Sequence, residues 1–544
     1  MPFNSTAFLV FFVIVYAIYR LLPHRAQNVF LLLASYVFFG WWDIRFLFLI
    51  FISTSLDFIC GLLITDGLIP TKKRLGISSG IILSGFAFLV IQWNLLGSPG
   101  SSLKSVFLGL SDWSYRWLIF AAIVLLVLTF NLLYPKFSHL DSQKRRKLSL
   151  MLSLTGNLSI LGLFKYFNFF LENFEALLRG IGLNPGHLHL SIVLPVGISF
   201  YTFMTLSYTI DVYKGRLAPA RVFLEYALFV AFFPKLLAGP IERATNFLPQ
   251  IAAKRNIQAD QVIHGLQEIV YGLFKKIVIA DGLAKSVSGV FAGTYQLSCA
   301  DAIIGALFFT VQIYCDFSGY SDIATGISRL LGFNLMRNFN FPYFSRNPSE
   351  FWGRWHISLS SWFRDYVFFP IGGPYGKTLR WIRNVLVTFL VTGLWHGAAW
   401  NFIFWGLYHG ILLCLHRLKE TLRKSRKRSK NAFRKAASIL FFFILTCLGW
   451  ILFRAHSMNQ ALDIFKALFR DFGNLKLSAE MPTEAAMLGL PAFVIIEFIE
   501  NKSRGKYLNE VLPLPVWTGV YAAIIFLILL GLANVPTSFI YFVF

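Results

Sequence analysis

Long apolar stretches separated by short polar loops dominate the sequence from end to end. Runs such as Trp117–Tyr134 and Leu148–Phe170 are mostly apolar, and they approach the length of about 20 residues with which a helix crosses a bilayer. They are continuous and do not alternate over segments of about 10 residues, which excludes a transmembrane barrel. The pattern therefore predicts an all-α, polytopic helical membrane protein.

Basic residues in the loops predict how the chain is oriented. Lys72–Arg74, Lys144–Lys147 and Lys502–Lys506 each lie at the end of an apolar run. Cytoplasmic loops are enriched in Lys and Arg, so these loops are expected inside the cell. Threading the chain through them leaves Met1–Phe8 and residues 533–544 on the extracytoplasmic side.

The middle of the chain, from Phe223 to Arg383, breaks the simple pattern. Seven prolines and scattered charges interrupt its apolar runs. Irregular backbone at membrane depth is tolerated only where it is buried in protein or lines a cavity. We therefore expect re-entrant or broken helices around a tunnel in this region, and the number of crossings there stays open.

Composition supports a membrane protein and raises one alternative. Of the 544 residues, 56% are apolar and 14% are charged, and the formal net charge is +24. A nucleic-acid partner is not expected, because the basic residues sit in short loops between apolar runs. The densest segment, Arg417–Lys435, holds ten basic residues and one Glu. It is predicted to be a solvated loop that sets the topology, or a contact for anionic lipid headgroups.

Cysteine and histidine spacings give little support to a metal site. The five cysteines contain no Cys-x-x-Cys pair and mostly fall in apolar runs, so neither a disulfide framework nor a zinc site is predicted. His409 and His416 are seven residues apart and would share a helix face, but they lack a His-x-x-x-His spacing and nearby carboxylates. We predict no metal.

Two histidines in apolar, aromatic surroundings are the strongest candidates for chemistry. His356 lies in Phe351–Ser360, and His396 lies in Thr392–Trp400. An ionisable group at membrane depth is costly and is a functional-site hypothesis by default. A neutral imidazole can accept and return a proton near physiological pH. The alternative is that each histidine only joins two helices by a hydrogen bond.

Other polar residues give weaker signals. Asp316 and Asp322 are six residues apart and do not share a helix face, so a paired acid and base is not predicted. Asp316 is expected either to orient a histidine or arginine, or to form a helix-packing hydrogen bond. No Gly-x-Ser-x-Gly elbow is present, and Ser358 and Ser360 are explained equally well as caps of a re-entrant helix.

Taken together, four motifs resemble the membrane-bound O-acyltransferase family. They are Ala238–Ile241, Tyr314–Ala324, the segment from Asn347 to Ser360, and Leu394–Trp400. Each is weak alone, but their order is specific, and the likeness is dense between residues 194 and 410. The chain looks most similar to the family's bacterial alginate O-acetyltransferase-like branch.

The resemblance implies a helical shell around a central tunnel, with roughly 11–14 transmembrane helices plus re-entrant helices. It implies one integral-membrane domain in a bacterial inner membrane, with an acyl donor, expected to be acetyl-CoA, entering from the cytoplasm. Within that domain we predict N-terminal helices over 1–190, a catalytic core over 191–416, a basic cytoplasmic loop over 417–435, and C-terminal helices and a tail over 436–544.

The same resemblance assigns roles to the two histidines. His396 matches the family's near-invariant histidine and is expected to remove the proton of a hydroxyl as it attacks a thioester. His356 matches the second histidine and is expected to orient the acceptor or to stabilise the oxyanion. Asp316, Arg354 and Trp395 are supporting candidates within the matching motifs.

The chain ends in Phe539–Phe544, an aromatic motif similar to a C-terminal motif of this branch. There the tyrosine is proposed to receive the acyl group, so Tyr541 is an acyl-relay candidate. The alternative is an interfacial aromatic anchor.

These expectations point to O-acetylation of an exported polysaccharide such as alginate or peptidoglycan. The resemblance implies an extracytoplasmic SGNH, serine-hydrolase-like partner that completes the transfer. Two other functions compete with this one. A transporter or export channel with a histidine proton relay is disfavoured because no internal repeat is visible. A non-catalytic scaffold is disfavoured by the intact His396 motif.

Overall fold

The structure is a computed structural model, and all regular secondary structure in the residues it describes is helical. Those residues are 1–91, 115–184, 186, 189–190, 193–237, 239–292, 297–422, 431–470, 477–532, 537 and 539–540. The all-α prediction is therefore confirmed.

The described residues of the first part of the chain form seven α-helices. They are α1 (Thr6–Leu21), α2 (His24–Gly40), α3 (Phe46–Thr65), α4 (Thr71–Gly85), α5 (Tyr115–Ser138), α6 (Ser142–Leu161) and α7 (Phe167–Gly180). The middle forms α8 (Ile198–Tyr213), α9 (Phe223–Ala231), α10 (Phe233–Leu236), α11 (Ala244–Ala252), α12 (Ala259–Leu273), α13 (Asp281–Phe291) and α14 (Cys299–Leu330).

The last part contains both short and long helices. They are α15 (Pro348–Trp352), α16 (Ile357–Phe363), α17 (Thr378–His396), α18 (Trp400–Leu422), α19 (Ala432–Arg454), α20 (Met458–Arg470), α21 (Glu484–Lys502), α22 (Leu508–Val511) and α23 (Leu514–Gly531). Four π-helical segments, Phe86–Val90, Gly162–Tyr166, Phe274–Ala280 and Arg364–Phe368, and one 3₁₀ turn, Pro342–Phe344, complete the described helical structure.

Seven of the described helical segments are long and apolar enough to cross a membrane. They support a polytopic protein, while the predicted count of 11–14 spans remains a prediction. In the most apolar part of the span Arg116–Ser138, only 11% of the residues are buried, whereas 67% are buried in the corresponding part of Cys299–Leu330. The first therefore presents its apolar side chains outward, as a lipid-facing helix does, and α14 lies at the centre of the molecule.

The central helix α14 corrects one expectation from the sequence. Its 32 residues form a single continuous helix inside the region for which the sequence predicts re-entrant or broken helices. It has no internal proline, and a reciprocal capping box between Ser298 and Asp301 fixes its start. Short, interrupted helices occur on either side of it, at α9–α11 and at α15–α16, where the prolines lie.

The buried interior forms two large apolar clusters that meet along α14. Phe317 and Tyr320 belong to the cluster built mainly with the N-terminal helices. Ile313 and Tyr314, one turn earlier, belong to the cluster built with the C-terminal helices. The candidate site residues lie where these two clusters meet.

Candidate active site

His396 is the last residue of α17 and lies in an aromatic enclosure. Its ring centroid is 4.9 Å from those of Trp395 and Trp405 and 5.2 Å from that of Phe453, and only 3% of the residue is exposed. The close packing of α17 on α18 makes this possible, because a Cβ at Gly393 would lie 2.3 Å from the carbonyl oxygen of Phe402. The glycine in this motif is therefore a packing requirement.

His356 caps the start of α16 in a strained backbone conformation. Its φ is +40°, which is uncommon for a residue other than glycine, and it is fully buried. Backbone hydrogen bonds hold it there, since the His356 carbonyl accepts from the Ser360 N–H at 2.9 Å and the Ile357 N–H donates to the Asn338 carbonyl at 2.8 Å. Strain of this kind clusters at active sites and costs of order 1–3 kcal/mol.

Trp395 links the two histidines. Its ring centroid lies 6.1 Å from His356 and 4.9 Å from His396. Phe203 stacks on it at 5.5 Å, and Phe200 meets it edge-on at 5.8 Å. The structure thus brings together three of the residues singled out from the sequence, although His356 and His396 are forty positions apart in the chain.

Lys165 is a site residue that sequence reasoning missed. Its Nζ donates to the backbone carbonyl of Trp395 at 2.5 Å and to that of His396 at 3.1 Å. A cation at the C-terminal end of a helix is favourable because the helix dipole is negative there. Lys165 lies on the π-helical segment Gly162–Tyr166, and such segments are frequent at functional sites. A lone lysine inside an apolar run was the signal that could have found it.

Two cavities are lined by residues of α17. A small pocket of about 90 Å³ is lined by His396, Lys165, Trp395 and Trp42. A larger cavity of about 830 Å³ is lined by Thr392, one helical turn before His396, and by Trp352. Neighbouring turns of α17 therefore line the two cavities, and the histidine lines the small one.

The large cavity has both basic and apolar lining residues. Arg364, His416 and Arg417 line it together with Ser360 and Thr388, and one carboxylate, Glu420, lies beside His416. The guanidinium of Arg417 lies 4.4 Å from the ring centroid of Trp381, another lining residue. Basic side chains outnumber the carboxylate among these residues, which suits an anionic ligand carrying an apolar or uncharged end.

The remaining candidates lie near the histidines or serve the local fold. Asp316 pairs with Lys276 at 2.7 Å and contacts the C-terminal segment, so it does not orient a histidine through any described hydrogen bond. Arg354 donates to the Phe341 carbonyl at 3.4 Å. Ser358 donates to Asn338 at 2.6 Å and accepts from the Ile241 N–H at 3.0 Å, which assigns it to the packing of the loop.

The relay candidate Tyr541 lies outside the described residues. Of the segment before it, Thr537, Phe539 and Ile540 are described. The Phe539 ring centroid lies 5.8 Å from that of Phe317, which in turn lies 4.6 Å from His356. The described end of the chain is therefore separated from His356 by a single aromatic side chain.

The next feature is the arrangement of residue types that can ligate a metal ion. Among the residues described here, no group of three or more His, Cys, Asp or Glu side chains is arranged to hold a metal ion. His409 is fully buried among aromatic rings, including Trp405 at 5.0 Å. His416 lines the large cavity and lies 3.5 Å from Glu420.

Comparison with known proteins gives consistent matches. Residues 221–459 match the family model described as MBOAT, membrane-bound O-acyltransferase family. The chain is 34% identical over 507 residues to the probable alginate O-acetylase AlgI of Azotobacter vinelandii, covering 91% of this chain and 84% of that protein.

Two further relatives act on other polymers by name. Identity to the peptidoglycan O-acetyltransferase of Helicobacter pylori is 37% over 350 residues, which covers 59% of this chain and 65% of the relative. Identity to the teichoic acid D-alanyltransferase of Bacillus subtilis is 30% over 284 residues, covering 49% of this chain and 71% of the relative.

Proposed function

Because the chain belongs to the membrane-bound O-acyltransferase family, we propose that it moves an acetyl group from cytoplasmic acetyl-CoA across the membrane for O-acetylation of an exported cell-envelope polysaccharide. The polymers named for its relatives, alginate and peptidoglycan, are the candidate acceptors. The family gives the class of enzyme, a multi-pass membrane acyltransferase. The residues of the site support the mechanism proposed below. The membrane is proposed to be a bacterial inner membrane.

The observation that carries the proposal is that neighbouring turns of α17 line two cavities, one of them at His396. Thr392, one turn away on α17, lines the large cavity, while His396 itself lines the small one. In the proposed mechanism the donor reaches this part of α17 from the large cavity, and the acceptor reaches His396 from the small one.

The large cavity is the proposed site of acetyl-CoA. Its volume of about 830 Å³ falls in the range of small-molecule sites, roughly 300–1,000 Å³. Arg364, His416 and Arg417 among its lining residues can meet the phosphates of the donor, and the apolar lining can take the thioester arm. Arg417 also begins the basic segment 417–435, which the positive-inside rule assigns to the cytoplasm.

The proposed chemistry is attack of a hydroxyl on the thioester. His396 takes the hydroxyl proton while the oxygen forms a bond to the acyl carbon. The tetrahedral intermediate then expels the thiolate, and the proton held by His396 passes to the sulfur, so that free CoA and an ester are formed. His356 is proposed to orient the acceptor or to stabilise the oxyanion, and Trp395 to hold the two imidazoles apart in a fixed relation.

The first acceptor is proposed to be the phenol of Tyr541. An extracytoplasmic SGNH, serine-hydrolase-like partner would take the acetyl group from that ester and pass it to the polymer. Tyr541→Phe should then block polymer acetylation while slow thioester hydrolysis persists, because water can replace the phenol. A mass increase of the C-terminal peptide in cells lacking the partner measures the trapped ester. An unmodified peptide there, with normal polymer acetylation in Tyr541→Phe, would leave only the role of an aromatic anchor.

The experiment that tests the function uses purified protein in liposomes with labelled acetyl-CoA. An acyltransferase should consume the thioester and release CoA, and His396→Ala should stop the reaction. A transporter or a scaffold consumes no thioester, so an equally slow reaction with wild type and with empty liposomes would overturn the proposal.

Membrane topology provides a second test of the same proposal. Single cysteines, introduced after the native ones are replaced, should react with an impermeant reagent in intact cells at position 541 and not within 417–435. Labelling within 417–435 would place the donor cavity on the wrong side of the membrane.

A further inference from the structure

A buried ion cluster contacts the C-terminal segment, of which Thr537, Phe539 and Ile540 are described. The proposed histidine chemistry does not use this cluster, although its member Asp316 lies in the motif Tyr314–Ala324. Lys276 Nζ lies 2.8 Å from Asp281 Oδ1 and 2.7 Å from Asp316 Oδ1. The three side chains are 0%, 3% and 4% exposed. Lys276 comes from the π-helical segment Phe274–Ala280, Asp281 from the start of α13 and Asp316 from the middle of α14.

Each member of this cluster also binds the C-terminal segment. Lys276 Nζ donates to the Thr537 carbonyl at 3.1 Å, and the Thr537 hydroxyl donates to Asp281 Oδ1. The Ile540 N–H donates to Asp316 Oδ2 at 2.7 Å. The Thr537 hydroxyl oxygen also accepts from Lys276 Nζ at 3.4 Å, so the segment offers two acceptors to the ammonium and one donor to each carboxylate.

Phe539 adds an apolar contact between these polar ones. It is 1% exposed, and its ring centroid lies 4.5 Å from Tyr320 and 5.8 Å from Phe317. Both partners are on α14, and Phe317 packs against His356 at 4.6 Å. The segment is thus bound through its backbone and a hydroxyl, with an aromatic side chain inserted toward the active site.

The charges explain why the cluster fits a docked chain end. One ammonium faces two carboxylates, so the cluster carries a net negative charge when all three groups are ionised. Buried charge is tolerated only when it is paired and hydrogen-bonded. The N–H of Ile540 and the hydroxyl of Thr537 supply hydrogen-bond donors to that excess negative charge.

We propose that Lys276, Asp281 and Asp316 form a docking site for the chain's own C-terminal segment, and that they act as positioning residues for the acyl relay. The last clamped group, the Ile540 N–H, belongs to the residue directly before Tyr541. Docking would thereby hold the residue before Tyr541 in place and reduce the volume that the Tyr541 phenol can explore. The docking rests on the contacts above, and its role in relay rests on the proposed function.

Docking itself is tested by limited carboxypeptidase digestion of the purified full-length protein in detergent, followed by mass spectrometry of the C-terminal peptide. Wild type should lose its last residues and then resist digestion near Ile540. Lys276→Met should be digested past Thr537 at least about tenfold faster, the effect expected for losing one charge-assisted hydrogen bond. The control is Lys285→Met, which removes an exposed lysine paired with Glu480, and it should match wild type.

Thr537→Val covers the case in which Lys276→Met fails to fold. It changes the segment alone, removes the hydroxyl bond to Asp281, and leaves all three charges in place. It should raise the digestion rate by several-fold while the protein elutes as a single species. Wild-type resistance in a folded Lys276→Met, or in Thr537→Val should Lys276→Met fail to fold, would overturn the docking site.

Positioning requires a readout that a packing role would not move. Lys276→Met should lower polymer acetylation by about tenfold or more while thioester hydrolysis by water stays within about twofold of wild type. Lys276→Arg, which keeps the charge, should restore part of the acetylation. Equal loss of both reactions would assign the cluster to the fold. If Tyr541→Phe acetylates the polymer normally, the relay is wrong, and the digestion still decides whether the segment docks.

Discussion

The two buried polar groups of this protein, the histidine pair and the ion cluster, are built in opposite ways. The ring contacts described for His396 and His356 are all with aromatic side chains such as Trp395, Trp405 and Phe317. The ion cluster of Lys276, Asp281 and Asp316 consists of charges paired at 2.7–2.8 Å. One group is surrounded by rings, and the other is surrounded by its own counter-charges.

The difference follows from what each group has to do. A base must take up a proton and return it during the reaction, and the contacts described for the two imidazoles place them among aromatic rings. The docking site must hold the C-terminal segment, and paired buried charges suit this because they are costly to separate. Replacing a histidine should therefore cost activity, whereas breaking the ion cluster should cost stability and the docking of the chain end.

The largest expected effect is the loss of catalysis in His396→Ala. A positioned base contributes about 10²–10⁴-fold in rate, so acetyl-CoA consumption should fall by that factor. The protein should remain in the membrane at normal levels, because the paired charges of the ion cluster stay in place. His396→Gln keeps most of the volume and should be equally inactive. His139→Ala, at an exposed histidine, is the matched control. Retained acylation in washed membranes of the mutant would contradict the assignment of His396 as the base.

The ion cluster should show the reverse pattern. Lys276→Met leaves two buried carboxylates without their shared cation, and breaking such a pair costs about 3–5 kcal/mol. The thermal unfolding midpoint in detergent should drop clearly below that of wild type and of His396→Ala. Adding Asp281→Asn and Asp316→Asn should recover part of the loss, since the unpaired charges are removed as well. If His396→Ala proves to be the less stable protein, the comparison between the two groups is wrong.

The next expected effect separates the roles within the histidine pair. His356→Ala should lower activity by about 10–100-fold, and His356→Asn should keep more of it. Asparagine can still donate and accept hydrogen bonds, and it tolerates the positive φ of +40° better than other residues of its size. Steady-state rates of thioester consumption provide the measurement. If His356→Asn is as inactive as His356→Ala while His396 variants remain active, the two histidines have exchanged roles.

Much of the fold was predictable because hydrophobic length and proline position act locally. The run Trp117–Tyr134 lies within α5, the run Leu148–Phe170 lies within the continuous helical stretch from α6 to α7, and the breaks at α9–α11 follow their prolines. The long helix α14 escaped prediction because its polar residues, among them Asp316 and Ser321, are satisfied by partners distant in the sequence. Periodicity cannot show such partners.

The candidate site was predictable in its residues but not in its support. His356, His396 and Trp395 stood out by their aromatic setting, and the structure brings their rings together. Lys165 and Lys276 gave only the signal of a lysine in an apolar run, and their partners lie more than 200 residues away or in another helix. Their position on π-helical segments is a property of the backbone that the sequence pattern does not reveal.

Lys165 offers the smallest expected effect and the finest test of the comparison, because it is the one cation hydrogen-bonded to the histidine pair's backbone among the contacts described. Its Nζ holds the carbonyls of Trp395 and His396. Lys165→Met should lower the rate of thioester consumption by several-fold to about tenfold, since two carbonyls at the end of α17 lose a charge-assisted bond. Lys165→Arg should keep part of that bond and of the rate.

Lys144→Met, at an exposed lysine on α6, serves as the control. A supporting role predicts that the loss is much smaller than in His396→Ala and appears in kcat. A Lys165→Met variant as inactive as His396→Ala would place the lysine among the catalytic groups. The active site would then depend on a buried charge, as the ion cluster does, and the contrast between the two groups would fail.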